Sequence, residues 1–296
     1  MKHKNIKGQI IQGNKMQKGI NNAKISKRQK ISSLFLFLGM RISIFSTLAV
    51  FFILIIFVIF KGIWHLSWDL FAWEYTSNNV SMMPSLINTL NMVLLSLFIA
   101  FPFGIFGAIY LNEYCKSPKI LSLISIASET LVGIPSIVYG LFGYLAFVIY
   151  FGFKTSFIAG SLTLSIMILP LILRSSQEAL KSVPLNLKEA SFALGAGKIR
   201  TIFAVILPAA SSGILAGVIL SVGRIVGESA ALLYTSGSVA KVASLMDSGR
   251  TLSVHMYAIS TEGLHINEAY STAMILILLV LLLNGSANFI AKKLTR

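Results

Sequence analysis

Two ionisable residues sit where an apolar chain has little use for them. Within Pro208–Leu233, a run apolar enough to enter a lipid bilayer, stand Arg224 and Glu228. Each costs roughly 2.5–3.5 kcal/mol at the centre of a membrane. They are four residues apart, so on one continuous helix they share a face and can pair. A guanidinium in a polar cavity can take an oxyanion through two parallel hydrogen bonds. The carboxylate would then hold the guanidinium in place and repel anions that approach wrongly. The alternative is an ion pair joining this helix to a partner subunit. Gly213, Gly217 and Ser221 recur every four residues and lead into the same stripe. Small residues at that spacing let helices approach closely, so the glycines read as packing. Ser221 is grouped with Arg224 and Glu228 as a candidate for a polar path through the membrane. Glu129, in a separate apolar stretch, is a weaker candidate, or an interfacial carboxylate near the end of its span.

Composition says what must position these residues. The chain has 296 residues, 55% hydrophobic and 12% charged, with mean hydropathy +0.80. A soluble domain carries about 25% charged residues. Several apolar runs reach the roughly 18 residues that cross about 30 Å of hydrocarbon. The chain is therefore expected to be an all-α, polytopic membrane protein. Its net charge of +15 misleads, because ten of the 25 Lys and Arg lie in residues 1–41, which hold no acid. Such a segment reads as a disordered cytoplasmic tail. Nucleic-acid binding is the less economical reading beside a membrane span, and no nucleic-acid partner is expected. The lone Cys115 excludes an internal disulfide framework.

Residues 42–61 form the first span. It reads as an uncleaved anchor, because the run ends at Lys61 after bulky side chains. The outer loop 62–84 carries Trp64, Trp68 and Trp73, which suit the half-wet membrane interface. A five-helix core, 85–291, follows. It opens with Ser85–Leu111, preceded by Pro84, a residue suited to a first helical turn. The next stretch, Ile120–Phe151, is too long for one straight helix, and Gly133-Ile134-Pro135 predicts a break. Phe157–Leu173, Pro208–Leu233 and Ala269–Ile290 complete a count of six transmembrane helices. Between them lie a polar segment at 174–207 and an outer loop at 234–268, and a short C-terminus follows at 292–296. With the N- and C-termini cytoplasmic, the inner segments hold 20 Lys and Arg, against Lys61, Lys154, Lys241 and Arg250 outside. His255 and His265, ten apart in the outer loop, read as solvated residues, and no metal site is expected.

The polar segment has a spaced pattern of its own: Glu189-Ala190-Ser191, then Gly195, then Val205-x-Leu207-Pro208. It reads as helix, break, helix. Glu189–Leu194 makes a short helix, Gly195 and Gly197 let the backbone turn, and Lys198–Leu207 leads into the span that Pro208 opens. The pattern resembles the EAA loop of ABC importer permeases, E-A-A-x3-G-x9-I-x-L-P. Ser191 stands for the second alanine and Val205 for the isoleucine. The resemblance implies a coupling helix seated in a groove of a cytoplasmic ATPase, with Glu189, Ala190, Ser191, Gly195 and Pro208 at the coupling surface. The alternative is a plain amphipathic loop helix. An ATPase would be a separate chain. The nearest approach to G-x-x-x-x-G-K-[ST] is Gly197-Lys198, where Phe192 holds the first glycine position and Ile199 follows the lysine. This chain is thus expected to be no enzyme and to bind no cofactor, with ATP used by its partner.

Further segments carry the resemblance. Gly133–Gly143 (GIPSIVYGLFG), Gly223–Glu228 (GRIVGE), Ser229–Thr235 (SAALLYT), Leu252–Gly263 (LSVHMYAISTEG) and Ala269-Tyr270 are similar to the phosphate-specific, PstA-type permeases. Ser229 and Ala231 depart from the threonine and proline usual there. The similarity covers about residues 80–291. It implies the type I (MetI-like) ABC importer fold, a location in the bacterial cell membrane among its lipids, and inorganic phosphate as substrate. It also implies a second, PstC-type permease, two PstB-type ATPase subunits and a PstS-type extracytoplasmic binding protein. Sulfate or molybdate is the near alternative. A self-sufficient channel or secondary transporter is the distant one; the internal repeats and paired broken helices of that class are not evident.

Overall fold

A computed structural model of the chain describes residues 27–294, and among them there is no strand. The chain divides into two compact units, 1–57 and 58–296. The described part of the first belongs to one helix, α1 (Lys27–Trp64), which runs on into the second unit. Its 38 residues reach about 57 Å, well past the hydrocarbon thickness. Nearly all its apolar side chains from Leu34 to Phe57 are exposed, as a lipid-facing helix requires. The expected tail at 1–41 needs correction in its second part. Residues 1–26 lie outside the described residues, but 27–41 are helical. Extending a nucleated helix costs little, and Leu34–Met40 continues the apolar run. Counting charge alone hid that continuity.

The second unit is a helix bundle. α2 (Met83–Ile109) continues through a wider π turn, Tyr110–Tyr114. α3 (Pro118–Gly133) meets α4 (Ser136–Gly143, extended by a π stretch to Tyr150) at 100°. α5 (Phe157–Lys181) leads to two short helices, α6 (Leu185–Ala193) and α7 (Lys198–Thr201). A π turn, Ile202–Ile206, feeds α8 (Leu207–Gly227). The chain closes with α9 (Ala230–Thr235), α10 (Leu252–Glu262) and α11 (Ile266–Leu294). Among the described residues, five helical segments are long and apolar enough to span a bilayer, and the count is six if the bent α3–α4 pair is one span. The break falls at Gly133–Pro135 as the sequence predicts. Across it the Tyr139 hydroxyl donates to the Leu131 carbonyl at 2.8 Å, which also accepts the Ile134 N–H at 3.2 Å, so two hydrogen bonds to one carbonyl tie α4 to the end of α3.

α2 lies along α5, α5 along α8, and α8 along α11. Met92, Leu164, Ile168, Ile172, Val222 and Ile225 form the central core. A second cluster, with Ile109, Leu180, Ile202, Ile206 and Ile214, sits toward the polar segment. Small residues set how closely α8 meets α5. A Cβ added at Gly213 would lie 2.6 Å from the Ala179 Cβ, and one at Gly217 would lie 2.5 Å from the Ser175 Cβ. No side chain fits there, so these two glycines are packing residues.

The opposite end of the bundle is a built layer, not an open loop. Buried Asn88 on α2 donates to the carbonyls of Lys241 (2.8 Å) and Arg250 (3.1 Å) and accepts from the Ala243 N–H (3.0 Å). The first turn of α10 is held by Leu252, whose N–H donates to Thr89 Oγ1 at 2.8 Å. His255 is therefore not solvated, as expected from sequence, but fully buried on α10, 6.1 Å edge-on from Tyr75. Arg250, 4% exposed, lies 4.5 Å over the same ring. His265 faces Glu268 at 3.8 Å. The expectation failed because a helix forms inside a stretch whose polarity reads as loop.

Burial, helped by the Arg250 charge, lowers the His255 pKa to about 3, with the Val80 backbone opposing weakly. Between that value and the ordinary 6.5, the unfolded chain binds a proton that the folded chain does not. Stability at this site is full above pH 6.5 and is lost as pH falls toward 3, by on the order of 1 kcal/mol per pH unit. Replacing His255 with Phe keeps an aromatic edge beside Tyr75 and removes the titration. Thermal unfolding of the detergent-solubilised protein between pH 7 and 4 is expected to show a shallower acid slope for the variant. Equal slopes would mean that His255 charges freely in the folded state.

Candidate functional site

Arg224 lines a cavity of ≈ 730 Å³ whose wall includes Val132 of α3, Leu171 of α5, Leu220 of α8, and Asn284 and Asn288 of α11. Arg224 is half-buried, and among the described residues it makes no ion pair. Its donors share the space with two carboxamides four residues apart on one face of α11. A fixed cation with neutral amides beside it suits a negatively charged, oxygen-rich solute better than a neutral or cationic one. The sequence reading missed both asparagines. A signal was there: two amides at helical spacing in an otherwise apolar final span.

The other expected path residues do not join this cavity. α8 ends at Gly227, and Glu228 is extended (φ −77°, ψ 126°). Its Oε1 accepts the Ala231 N–H at 3.1 Å, so the carboxylate caps α9. Its carbonyl accepts the Ser253 hydroxyl, which ties α10 to the same point. Pairing with Arg224 needed a helix continuous through 228, and the helix stops one residue short. Ser221 is fully buried, and its hydroxyl donates to the Gly217 carbonyl at 2.8 Å. It continues the packed stripe of Gly213 and Gly217 and leaves the cavity to Arg224. Glu129 pairs with Arg174 at 3.2 Å, and Arg174 also reaches Glu178 at 3.1 Å, with all three side chains about half exposed or more. Glu129 lies three residues before Val132 on α3 and Arg174 three after Leu171 on α5, so this ion pair sits about one turn from the Arg224 cavity.

The polar segment folds as helix, break, helix. α6 stops where Gly195 takes a left-handed φ of +81°. Glu189, Ala190 and Pro208 are exposed. So are Leu185, Phe192 and Ile199, with Leu194 at 89%, an apolar surface that the sequence pattern did not single out. Ser191 behaves differently from its neighbours. It is buried, and its hydroxyl meets Thr201 Oγ1 at 2.9 Å, so it braces α6 against α7 and does not face outward. The segment and the turn after α2 lie at the same end of the bundle, since Lys188 bonds Glu113.

The bundle thus carries an exposed helix–break–helix at one end and a half-buried arginine beside a cavity, and similarity to known proteins says which family has this sequence. Residues 100–296 match the family model described as binding-protein-dependent transport system inner membrane component. The chain belongs to that family. A probable ABC transporter permease, YqgI of Bacillus subtilis, is 34% identical over 71% of this chain and 79% of its own length. The phosphate transport system permease PstA of Yersinia pestis is 34% identical over 68% of this chain and 69% of its own. A PstA homolog of Mycoplasma pneumoniae is also 34% identical, but this chain spans only 32% of it. Within the family the chain is thus a permease of PstA type. Among solved structures, a bacterial alginate ABC transporter bound to its periplasmic protein superposes with a TM-score of 0.67 at 16% identity, covering 90% of this chain and 98% of that one. The MetNI methionine transporter gives 0.59 at 22% identity, covering 71% and 94%. The fold is that of ABC importer permeases, and the protein is a multi-pass component of the plasma membrane.

Proposed function

We propose that this permease is the PstA-type transmembrane subunit of an ATP-driven inorganic phosphate importer. The observation that carries the reading is Arg224, a half-buried cation without a carboxylate partner among the described residues, set in a cavity beside Asn284 and Asn288. Phosphate is a small oxyanion that accepts from a guanidinium in parallel pairs and, when protonated, also donates to an amide oxygen. Relatives called PstA support phosphate over other oxyanions. A PstC-type permease would complete the path, two PstB-type ATPases would bind ATP, and a PstS-type protein would deliver phosphate to the layer built on α10. In this reading both termini, α6 and α7 face the cytoplasm. ATP closes the ATPase dimer, α6 moves with it, and the cavity around Arg224 opens alternately outward and inward.

Uptake of labelled phosphate by cells lacking this chain, with and without it restored, tests the reading. Uptake that returns at low phosphate and collapses on ATP depletion supports it. Restored uptake of sulfate or molybdate in place of phosphate would overturn the substrate, and uptake indifferent to ATP would overturn the importer.

The coupling surface makes a separate prediction. A residue with a Cβ at Gly195 has room but must hold a left-handed backbone, at a cost of about 1–2 kcal/mol. Gly195→Val is expected to unwind the end of α6 and weaken capture of the ATPase subunit. Undiminished co-purification of the two would count against α6 as the docking element.

A further inference from the structure

One side-chain cluster outside the cavity ties the polar segment to the membrane bundle. α2 does not stop at its last α-helical turn. The π turn Tyr110–Tyr114 carries it onward and presents Glu113 to the polar segment. A π turn inserts one extra residue, which shifts the helix face beyond it. Glu113 Oε1 receives the Lys188 ammonium at 2.5 Å and the Asn112 amide at 2.7 Å. Lys198 donates to the Glu113 carbonyl and lies 4.1 Å over the Tyr114 ring. Two lysines, one on α6 and one on α7, thus converge on the same turn from either side of the Gly195 break. The Ser191–Thr201 hydroxyl contact braces the two short helices between them.

The Glu113 and Lys188 side chains are only 11% and 17% exposed, whereas Lys241–Asp247 and the Arg174 pairs are about half exposed or more. A nearly buried pair is a poor device for stability, since apolar residues of the same volume often serve as well. It can serve instead to hold two elements together, because pulling either charge away leaves the other buried and uncompensated. The polar segment already touches α2 through apolar packing, Ile202 and Ile206 clustering with Ile109. The Glu113–Lys188 pair adds a directional polar attachment to that sliding apolar one. α2 packs along α5, and α5 supplies Leu171 to the wall of the Arg224 cavity.

We infer that Glu113, latched by Lys188 and Lys198, is a positioning residue that carries movement of α6 into α2 and so to the cavity wall. The inference rests on the proposed coupling role of α6. It adds that docking of the ATPase and transmission of its movement are separable, with Glu113 serving only the second.

The test uses the whole assembly in proteoliposomes, with phosphate-loaded binding protein on one side and ATP on the other. For Glu113→Gln, the ATPase subunit is expected to remain bound and ATP hydrolysis to continue. Phosphate moved per ATP should fall at least about fivefold, a loss in the range of site-to-site coupling. Lys188→Glu should behave likewise, and Glu113→Lys combined with Lys188→Glu should recover most of the ratio. A merely structural pair would lower uptake and hydrolysis together and leave their ratio alone. An unchanged ratio in Glu113→Gln, or a double variant no better than its parents, overturns the latch. Loss of the ATPase from Glu113→Gln overturns the separation of docking from transmission. Failure of the coupling reading itself shows elsewhere, as unaltered ATPase capture by Gly195→Val.

Discussion

Cells whose permease carries Arg224→Gln are expected to lose phosphate uptake at low phosphate while the assembled complex survives. Glutamine keeps much of the length and two amide donors but removes the positive charge and the planar fork. Arg224 lines the ≈ 730 Å³ cavity and, among the described residues, pairs with no carboxylate. Its charge is therefore available to a solute and is not spent on a neighbour. Truncating one partner of a desolvated charge contact costs about 2–5 kcal/mol, so uptake should drop by roughly 30-fold or more. Arg224→Lys keeps charge without the fork and should fall between. The alternative role, an ion pair to a second subunit, predicts the opposite split: the glutamine variant would fail to co-purify with its partner. Normal uptake by the variant would remove Arg224 from the path altogether.

A large structural effect is expected at Gly217. A Cβ there would sit 2.4 Å from the Ser175 hydroxyl oxygen and 2.5 Å from its Cβ. The hydroxyl cannot simply swing away without cost, because it donates to the Gly213 carbonyl at 3.1 Å. Gly217→Val adds three carbons to a contact with no room for one, and α8 must move off α5. Overpacking of this kind costs about 1–3 kcal/mol or more, and it falls on the contact that holds Arg224 in register with Leu171. The variant should accumulate poorly and unfold at lower temperature in detergent. Gly223→Ala is the control on the same helix, since its added Cβ would meet nothing closer than the Asn284 amide nitrogen at 3.9 Å. If both variants are equally stable, the α5–α8 contact is looser than the geometry implies.

Much of the site was legible, but unevenly. Arg224 stood out because a charge in an apolar run is costly wherever the chain goes. The helix–break–helix of the polar segment was legible because Gly195 marks a left-handed backbone that few other residues accept. Glu228 was misread, because its pairing with Arg224 assumed a helix that in fact ends at Gly227. Ser191 was misread too: a loop motif cannot show which of three adjacent residues turns inward, and it is Ser191 that meets Thr201. Asn284 and Asn288 were overlooked because their meaning depends on what lies opposite them.

Charge, hydropathy and spacing by themselves determined the membrane class, the long apolar helices, the break before Pro135, the exposed polar segment and the arginine within an apolar run. All of these depend on local chemistry: the cost of an unbonded backbone group in lipid, the length of chain that crosses it, and the backbone freedom of glycine. Only the tertiary structure decided which groups meet. It set Arg224 beside two asparagines about 60 residues further on, turned Glu228 into a helix cap, buried His255 beneath Tyr75, and brought Glu113 to Lys188. Those outcomes depend on the packing of helices distant in sequence, and a side chain's role there is set by neighbours that no local pattern contains.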